Sequence, residues 1–206
     1  MAAASVPASY APVESAPVAP PARPRLVMVG TAFAAAACFM LFTGLIGTYL
    51  TMRAGVIADK GTWIPAKVTM PLQQPNVMVL ALLMSSVTLQ WAVDAIRRND
   101  RQQAYLAFGV TLVFGFGVLN MAGYLYTVMG LDMAVASPFP ALVYTITAAH
   151  VLMLVGAMVF TGLMAFRALG GQYASRQTDG VSAAALFWHV QTLVFLFIWY
   201  AIYITK

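Results

Sequence analysis

Few residues in the apolar parts of this chain could take part in proton, metal or ligand chemistry. They are Asp94, His150 and His189, together with the weakly polar Cys38. Ionisable groups inside a bilayer are costly unless they are paired or wetted, so each is a candidate for function. The sequence holds no HExxH or CxxC motif, no phosphate-binding glycine loop beside a lysine, and no spaced nucleophile and base. It therefore predicts a chain with no catalytic residue and no metal site of its own.

The two histidines lie near the middle of two apolar segments. His150 is about 10 to 12 residues into its segment and His189 about 9, which puts both near mid-membrane at about 1.5 Å per residue. Two imidazoles on neighbouring helices are able to ligate haem. A buried histidine also serves as a hydrogen-bond partner between helices. The second interpretation is favoured, and haem ligation by His150 and His189 is the alternative.

Asp94 precedes Arg97 by three residues and Arg98 by four. This spacing puts the carboxylate and either guanidinium on one helix face. An ion pair at the membrane interface is the favoured interpretation, and a proton relay is the alternative.

The elements that position these residues follow from an unusual composition. Of the 206 residues, 62% are hydrophobic and 8% are charged, whereas soluble domains are about 25% charged. A helix that crosses a bilayer needs about 20 apolar residues, and the in-and-out alternation of a membrane barrel is missing. The sequence thus predicts an all-α integral membrane protein with about five transmembrane helices. The predicted spans are 27–52, 76–97, 103–129, 139–168 and 181–204.

The segments between the spans have their own composition. Residues 1–25 hold six of the eleven prolines and are predicted to be a disordered tail, and the long apolar run after them is a retained anchor rather than a cleaved signal. The longest loop is predicted from Ala54 to Pro75 because it is rich in proline. The turn at 97–101 is short enough to make spans two and three antiparallel neighbours. Gly170 and Gly171 are predicted to end span four.

The positive charges predict an orientation. Five spans put seven arginines on the side of the N-terminus and four basic residues on the other side, which favours a cytoplasmic N-terminus and a periplasmic C-terminus. The net charge of +5 is thus read by location, and no nucleic-acid partner is expected. The first set is Arg23, Arg25, Arg97, Arg98, Arg101, Arg167 and Arg176, and the second is Arg53, Lys60, Lys67 and Lys206.

The order and spacing of several motifs resemble subunit III of the haem-copper oxidases, the cytochrome c oxidase family, in its shorter five-helix bacterial form. The stretch from Asp179 to His189 is similar to the family's GxE-x-AA-x-YWHFVD signature. Ser85 to Arg101 is similar to the end of a family helix and its Asn/Asp-Arg turn. Four further motifs fall in the expected order: Phe42-x-Gly44-Leu45 with Tyr49, Trp63-x-Pro65, Gly123-Tyr124-x-Tyr126 and His150-Val151-Leu152.

The resemblance implies a role in a bacterial cytoplasmic membrane. The subunit would be a non-catalytic, lipid-binding structural part of a terminal respiratory oxidase that reduces oxygen to water and pumps protons. Haem and copper would be held by partner subunits. The partners implied are subunit I as the main contact, subunit II and a small subunit IV, with bound phospholipid. Arg167 matches the arginine that contacts a lipid headgroup, a task suited to a guanidinium.

The chain departs from the family at buried polar positions. Cys38 replaces the family's buried glutamate, and Thr147 replaces a histidine three residues before His150. Leu125 and Thr192 replace two further acids. These changes together indicate the loss of one polar network. Cys38, Thr147, His150, Trp188 and His189 are the predicted buried polar or interhelical residues.

Other functions remain open from the sequence. The chain could be the accessory subunit of a nitric oxide reductase or of a quinol oxidase. It could also be a small membrane cytochrome that uses His150 and His189. A transporter is disfavoured because no internal repeat is found.

Overall fold

The computed structural model describes residues 25–66, 68–132, 137–171, 173 and 178–205. Five long helices make up the fold, each long and apolar enough to cross a membrane, and no strand occurs in this part of the chain. The prediction of an all-α protein with five spans is thus confirmed. The helices are α1 (Leu26–Lys60), α2 (Gln73–Arg97), α3 (Arg101–Met129), α4 (Pro138–Leu169) and α5 (Asp179–Ile198), which continues as a π-helical turn, Trp199–Ile204.

Helix α1 is longer than the sequence indicated. The loop predicted from Ala54 to Pro75 is wrong at both ends, since α1 continues to Lys60 and α2 begins at Gln73. The charge at Arg53 ends the apolar span but not the helix, because residues 53–60 contain no proline. The helix ends at Gly61, which adopts φ 74° and donates its N–H to the Ile57 carbonyl. At the other end of the loop, Pro75 lies in the first turn of α2, where a missing N–H costs no helical hydrogen bond.

Helices α2 and α3 form the predicted antiparallel hairpin and share the most extensive helix contact in the bundle. The turn between them is three residues long, and Asn99 takes φ 56° in it. The Asp100 carboxylate caps α3 by accepting a hydrogen bond from the Gln103 N–H at 3.1 Å. A three-residue connection leaves α3 no position except beside α2.

Helix α4 begins and ends where the sequence marks it. The Ser137 hydroxyl accepts from the Phe139 N–H at 3.3 Å, and Pro138 occupies the first turn. The N–H groups of Gly170 and Gly171 donate to the carbonyls of Phe166 and Ala168, so the Gly-Gly pair closes the helix as predicted. The predicted tail 1–25 falls outside the described residues except for Arg25, whose Nε lies 3.7 Å from Asp179 Oδ1 at the start of α5.

Helix α5 is the centre of the bundle. It contacts α1, α2 and α4, and Trp188, Gln191 and Ile198 along it are fully buried. Close approach depends on Gly115 of α3, because a Cβ there would lie 3.1 Å from the Trp188 ring and 3.0 Å from Met158 Sδ. Small residues at such crossings are typical of helices packed in lipid.

Candidate functional site

An apolar groove lies between α1 and the end of α5. Its volume is about 470 Å³. Two of its hydroxyls turn back to their own helices, Thr43 to the Phe39 carbonyl at 2.9 Å and Thr205 to the Ala201 carbonyl at 2.8 Å. The wall of the groove is therefore mostly hydrocarbon, and it includes Gly47, which has no side chain. Its lining residues from α1 are Phe39, Phe42, Thr43, Ile46, Gly47 and Leu50, and those from the end of α5 are Val194, Phe197, Tyr200, Ala201 and Thr205.

Arg53 lies three residues after Leu50, just under one helical turn, near the end of this groove. Its Nη1 donates to Thr205 Oγ1 at 2.8 Å, while its Nε is buried with no hydrogen-bond partner among the described residues. A guanidinium held at one end of an apolar groove suits an anionic headgroup with an attached hydrocarbon chain. The sequence marked Arg53 only as a positive charge after span one, and its contact with Thr205 bridges 152 positions, which no local pattern reports.

Trp188 lies in the polar centre of the bundle. Its ring is fully buried, and its Nε1 donates to Ser85 Oγ at 2.9 Å. Ser85 in turn donates to the Leu82 carbonyl at 2.8 Å. This chain ties α5 to α2, so the Trp-His motif has a packing role here.

His150, on α4, makes a separate contact with helix α5. Its ring packs against Phe42 and Phe195, with centroids 6.2 and 4.9 Å away. Its Nε2 lies 3.2 Å from the Gln191 backbone oxygen and is therefore the donor. The fully buried Gln191 side chain donates to Thr192 Oγ1 at 3.3 Å. Neither Gln191 nor Ser85 was among the predicted interhelical residues, because uncharged polar residues are common in membrane helices.

His189 contacts α2 instead of α4. Its Nδ1 forms a short hydrogen bond with Ser86 Oγ, and its Nε2 lies 3.5 Å from Gln90 Oε1. The structure thus engages His150 and His189 with different helices rather than with a shared partner. No group of three or more His, Cys, Asp or Glu side chains able to hold a metal is found in the described ranges.

Cys38 and Thr147 are two of the positions at which the chain departs from the polar residues of the similar family. Cys38 is half-buried and packs against the apolar core. Thr147 Oγ1 donates to the Val143 carbonyl at 2.6 Å and accepts from the Tyr126 hydroxyl at 2.8 Å. The Thr147 hydroxyl thus has a donor and an acceptor without a carboxyl or imidazole partner.

The charged candidates lie at one end of the bundle. Arg97 Nη1 is 3.5 Å from Asp94 Oδ1, with both side chains about half exposed, and Arg98 caps α2 through its backbone. Arg167 lies 5.6 Å from the centre of the Tyr173 ring. Burial raises the pKa of the Tyr173 phenol, and the Arg167 charge partly opposes this shift. Arg167 is therefore near the start of α5, whereas the groove and Arg53 are near its end.

Similarity to known proteins identifies the family of this chain. The family model described as cytochrome c oxidase subunit III matches residues 25–206. A protein named cytochrome c oxidase subunit 3 from Oncorhynchus mykiss is 28% identical over 145 residues, which is 69% of this chain and 55% of that protein. "Probable cytochrome c oxidase subunit 3" from Rickettsia bellii is 28% identical over 152 residues, covering 72% and 54%.

A third relative is matched over more of its length. "Cytochrome c oxidase subunit 3" from Synechocystis is 28% identical over 184 residues, 88% of this chain and 76% of that protein. The chain spans about half the length of the first two relatives. Together with the five membrane-spanning helices, the match over residues 25–206 makes this chain a multi-pass membrane protein that belongs to the cytochrome c oxidase subunit III family.

Proposed function

We propose that the chain is a non-catalytic, lipid-binding structural subunit of a terminal respiratory haem-copper oxidase in a bacterial cytoplasmic membrane. Subunit I is its main partner, with subunit II and a small subunit IV as further partners. Those partners hold the haem and copper, reduce oxygen to water and pump protons. The N-terminus faces the cytoplasm, in line with the arginines that surround the turn at 97–101.

Family membership over residues 25–206 is the observation that carries the proposal. The polar side chains at the centre of the bundle add to it. Trp188 and Ser85 bond to each other, and His150 bonds to the Gln191 backbone. These contacts hold helices together and leave the chemistry to a partner.

The groove between α1 and α5 supports the lipid-binding part of the proposal. A volume of about 470 Å³ lined by Phe39, Ile46 and Leu50 suits a hydrocarbon chain. Arg53 at its end supplies a charge and a buried, unshared Nε–H for a phosphate oxygen. The lipid proposed for this groove is thus a phospholipid whose headgroup is at Arg53. Arg167, at the opposite end of the helices, is proposed to contact the headgroup of a second lipid.

Purification of the intact complex tests the main proposal. An affinity tag on this chain should recover a haem- and copper-bearing subunit in equal amount, measured by haem spectroscopy, copper analysis and subunit mass spectrometry. A stable complex without a haem-copper subunit would contradict it. Haem bound at one per chain in the isolated protein would favour the bis-histidine cytochrome instead.

A substitution that fills the groove tests lipid binding. Gly47→Leu places a side chain in the groove, where a Cβ meets nothing within 4 Å. We expect one phospholipid fewer per complex by native mass spectrometry, and the same loss for Arg53→Met. Gly44→Leu is the matched control, because Gly44 is exposed on α1 but does not line the groove. Equal lipid content in all three variants would exclude the groove as a lipid site.

A further inference from the structure

Asn120 carries an amide into the apolar surface of α3. The centre of this helix, Arg101–Met129, is Gly115. Asn120 is five residues further on, about 7.5 Å at 1.5 Å per residue, whereas the hydrocarbon core extends about 15 Å from its mid-plane. Its exposed neighbours Val113, Phe116 and Tyr124 are apolar or aromatic, with 69%, 65% and 55% of their surface accessible. The amide therefore lies at a depth where lipid offers only hydrocarbon.

Several other exposed polar side chains in the spans have hydrogen-bond partners within the chain. Asn76 Oδ1 accepts from Trp199 Nε1 at 2.8 Å, and Gln90 Oε1 lies 3.5 Å from His189 Nε2. The exposed Thr145 hydroxyl donates to the Ala141 carbonyl of its own helix at 2.8 Å. Asn120 differs, because its amide has no hydrogen-bond partner in the part of the chain that the structure describes. An amide left unpaired in hydrocarbon is strongly unfavourable, because no lipid group replaces its lost hydrogen bonds to water.

The exposed surface of α3 on the side of this amide is concave as far as Phe114, six residues before Asn120. A shallow groove of about 550 Å³ follows the exposed side of α3 past Leu106, Gly109 and Val113. At a helical period of 3.6 residues, Gly109, Val113 and Asn120 fall on one side of the helix. Methyl groups added at Gly109 or Gly123 would meet nothing within 4 Å. The described residues therefore leave both the groove and the amide uncovered.

We propose that the α3 face centred on Asn120 binds a transmembrane helix of a neighbouring oxidase subunit. That helix presents a hydroxyl, an amide or an open backbone carbonyl to the Asn120 amide. An acyl chain would fill the groove but leave the amide unpaired, so a helix with a polar side chain is the better match. The proposal rests on the proposed function, because membership of a multisubunit oxidase supplies the neighbouring subunit.

Photo-crosslinking within the intact, membrane-embedded complex tests the surface. Phe116, one turn from Asn120 on the same exposed face, is replaced by benzoyl-phenylalanine, and Phe33, 75% exposed on α1, is replaced in a control. We expect an adduct between position 116 and a membrane-spanning peptide of another subunit, identified by mass spectrometry. Adducts with lipid only, or with a second copy of this chain, would overturn the proposal. If the complex still contained the haem-copper subunit, the proposed function would stand.

A pair of matched variants tests the amide. Asn120→Leu should lower the fraction of this chain that stays with the complex in detergent by about three- to thirtyfold, the range for one interhelical polar contact. Asn120→Gln should keep most of it. Gln90→Leu is the control, because the Gln90 amide already has a partner within the chain. Loss with Gln90→Leu but not with Asn120→Leu would overturn the proposal, and circular dichroism of each isolated chain reports whether the helices remain folded.

Discussion

Helices α1 and α5 are both strongly apolar, but their surroundings differ. In the most apolar part of α1, 11% of the residues are buried within the chain, against 56% in α5. Lipid accepts an apolar side chain as readily as a protein core does, so hydrophobicity alone does not separate the two helices. What separates them is polar contacts and close packing. Trp188 and Gln191 of α5 form hydrogen bonds in the centre of the bundle. On α1, Thr43, Thr48 and Thr51 donate to carbonyls of their own helix.

Trp188→Ala should show the largest effect on this comparison. The ring is fully buried next to Gly115, and its removal leaves a cavity and takes away the N–H from which the Ser85 hydroxyl accepts. We expect a loss of about 3 to 5 kcal/mol in the free energy of unfolding. Thermal denaturation in detergent, followed by circular dichroism, measures it. A change below about 1 kcal/mol would show that α5 is not the centre of the fold.

Gly115→Ala tests close packing at the same crossing. The added methyl would lie 3.0 Å from Met158 Sδ and 3.1 Å from the Trp188 ring, so the loss should be about 1 to 3 kcal/mol. Gly117→Ala on the same helix is the control, because nothing lies within 4 Å of its added methyl. That variant should be neutral or slightly stabilising, since alanine is the better helix former. Equal melting temperatures for the two variants would contradict the packing at Gly115.

Tyr49→Phe tests the attachment of α1 to the loop that follows it. The Tyr49 hydroxyl accepts from Trp63 Nε1 at 2.9 Å in a buried contact, and the Trp63 ring packs between Tyr49 and Phe139. Removing the hydroxyl leaves the indole N–H without its partner, so we expect a loss of about 1 kcal/mol. The melting temperature should fall measurably, and the Trp63 fluorescence should change. An unchanged spectrum would show that the hydrogen bond does not persist in solution.

Phe33→Leu on α1 should have the smallest effect. The side chain is 75% exposed and would face lipid, which accepts either residue. The expected change is within about 0.5 kcal/mol. A large loss of stability in the isolated chain would mean that α1 packs more tightly than its exposure indicates. A loss seen only in the complex would place a partner subunit at this face.

The sequence predicted the spans well and their ends less well. Spans three and five begin and end within two residues of the helices, because charges and glycines mark both the edge of the hydrocarbon and the end of the helix. Span one failed at its end, since Arg53 leaves the hydrocarbon while the backbone stays helical to Lys60. Of the predicted site residues, Asp94 and Arg97 lie in a local contact that helical spacing foresees. The contact between Arg53 and Thr205 joins residues 152 positions apart and has no such local signal.

By itself the sequence determined that five helices cross a membrane, that α2 and α3 form a hairpin, and that the motifs around Trp188 and His189 are those of an oxidase subunit. These features depend on hydrophobic length, turn length and residue order. Only the tertiary structure decided that α5 is central and that a groove opens between α1 and α5. It also decided that Asn120 is exposed, with no partner for its amide among the described residues. The physical reason is that an apolar side chain gains about the same free energy on leaving water whether it then contacts lipid or another helix. Hydropathy therefore predicts the number of spans, whereas packing and polar contacts determine how the helices are arranged.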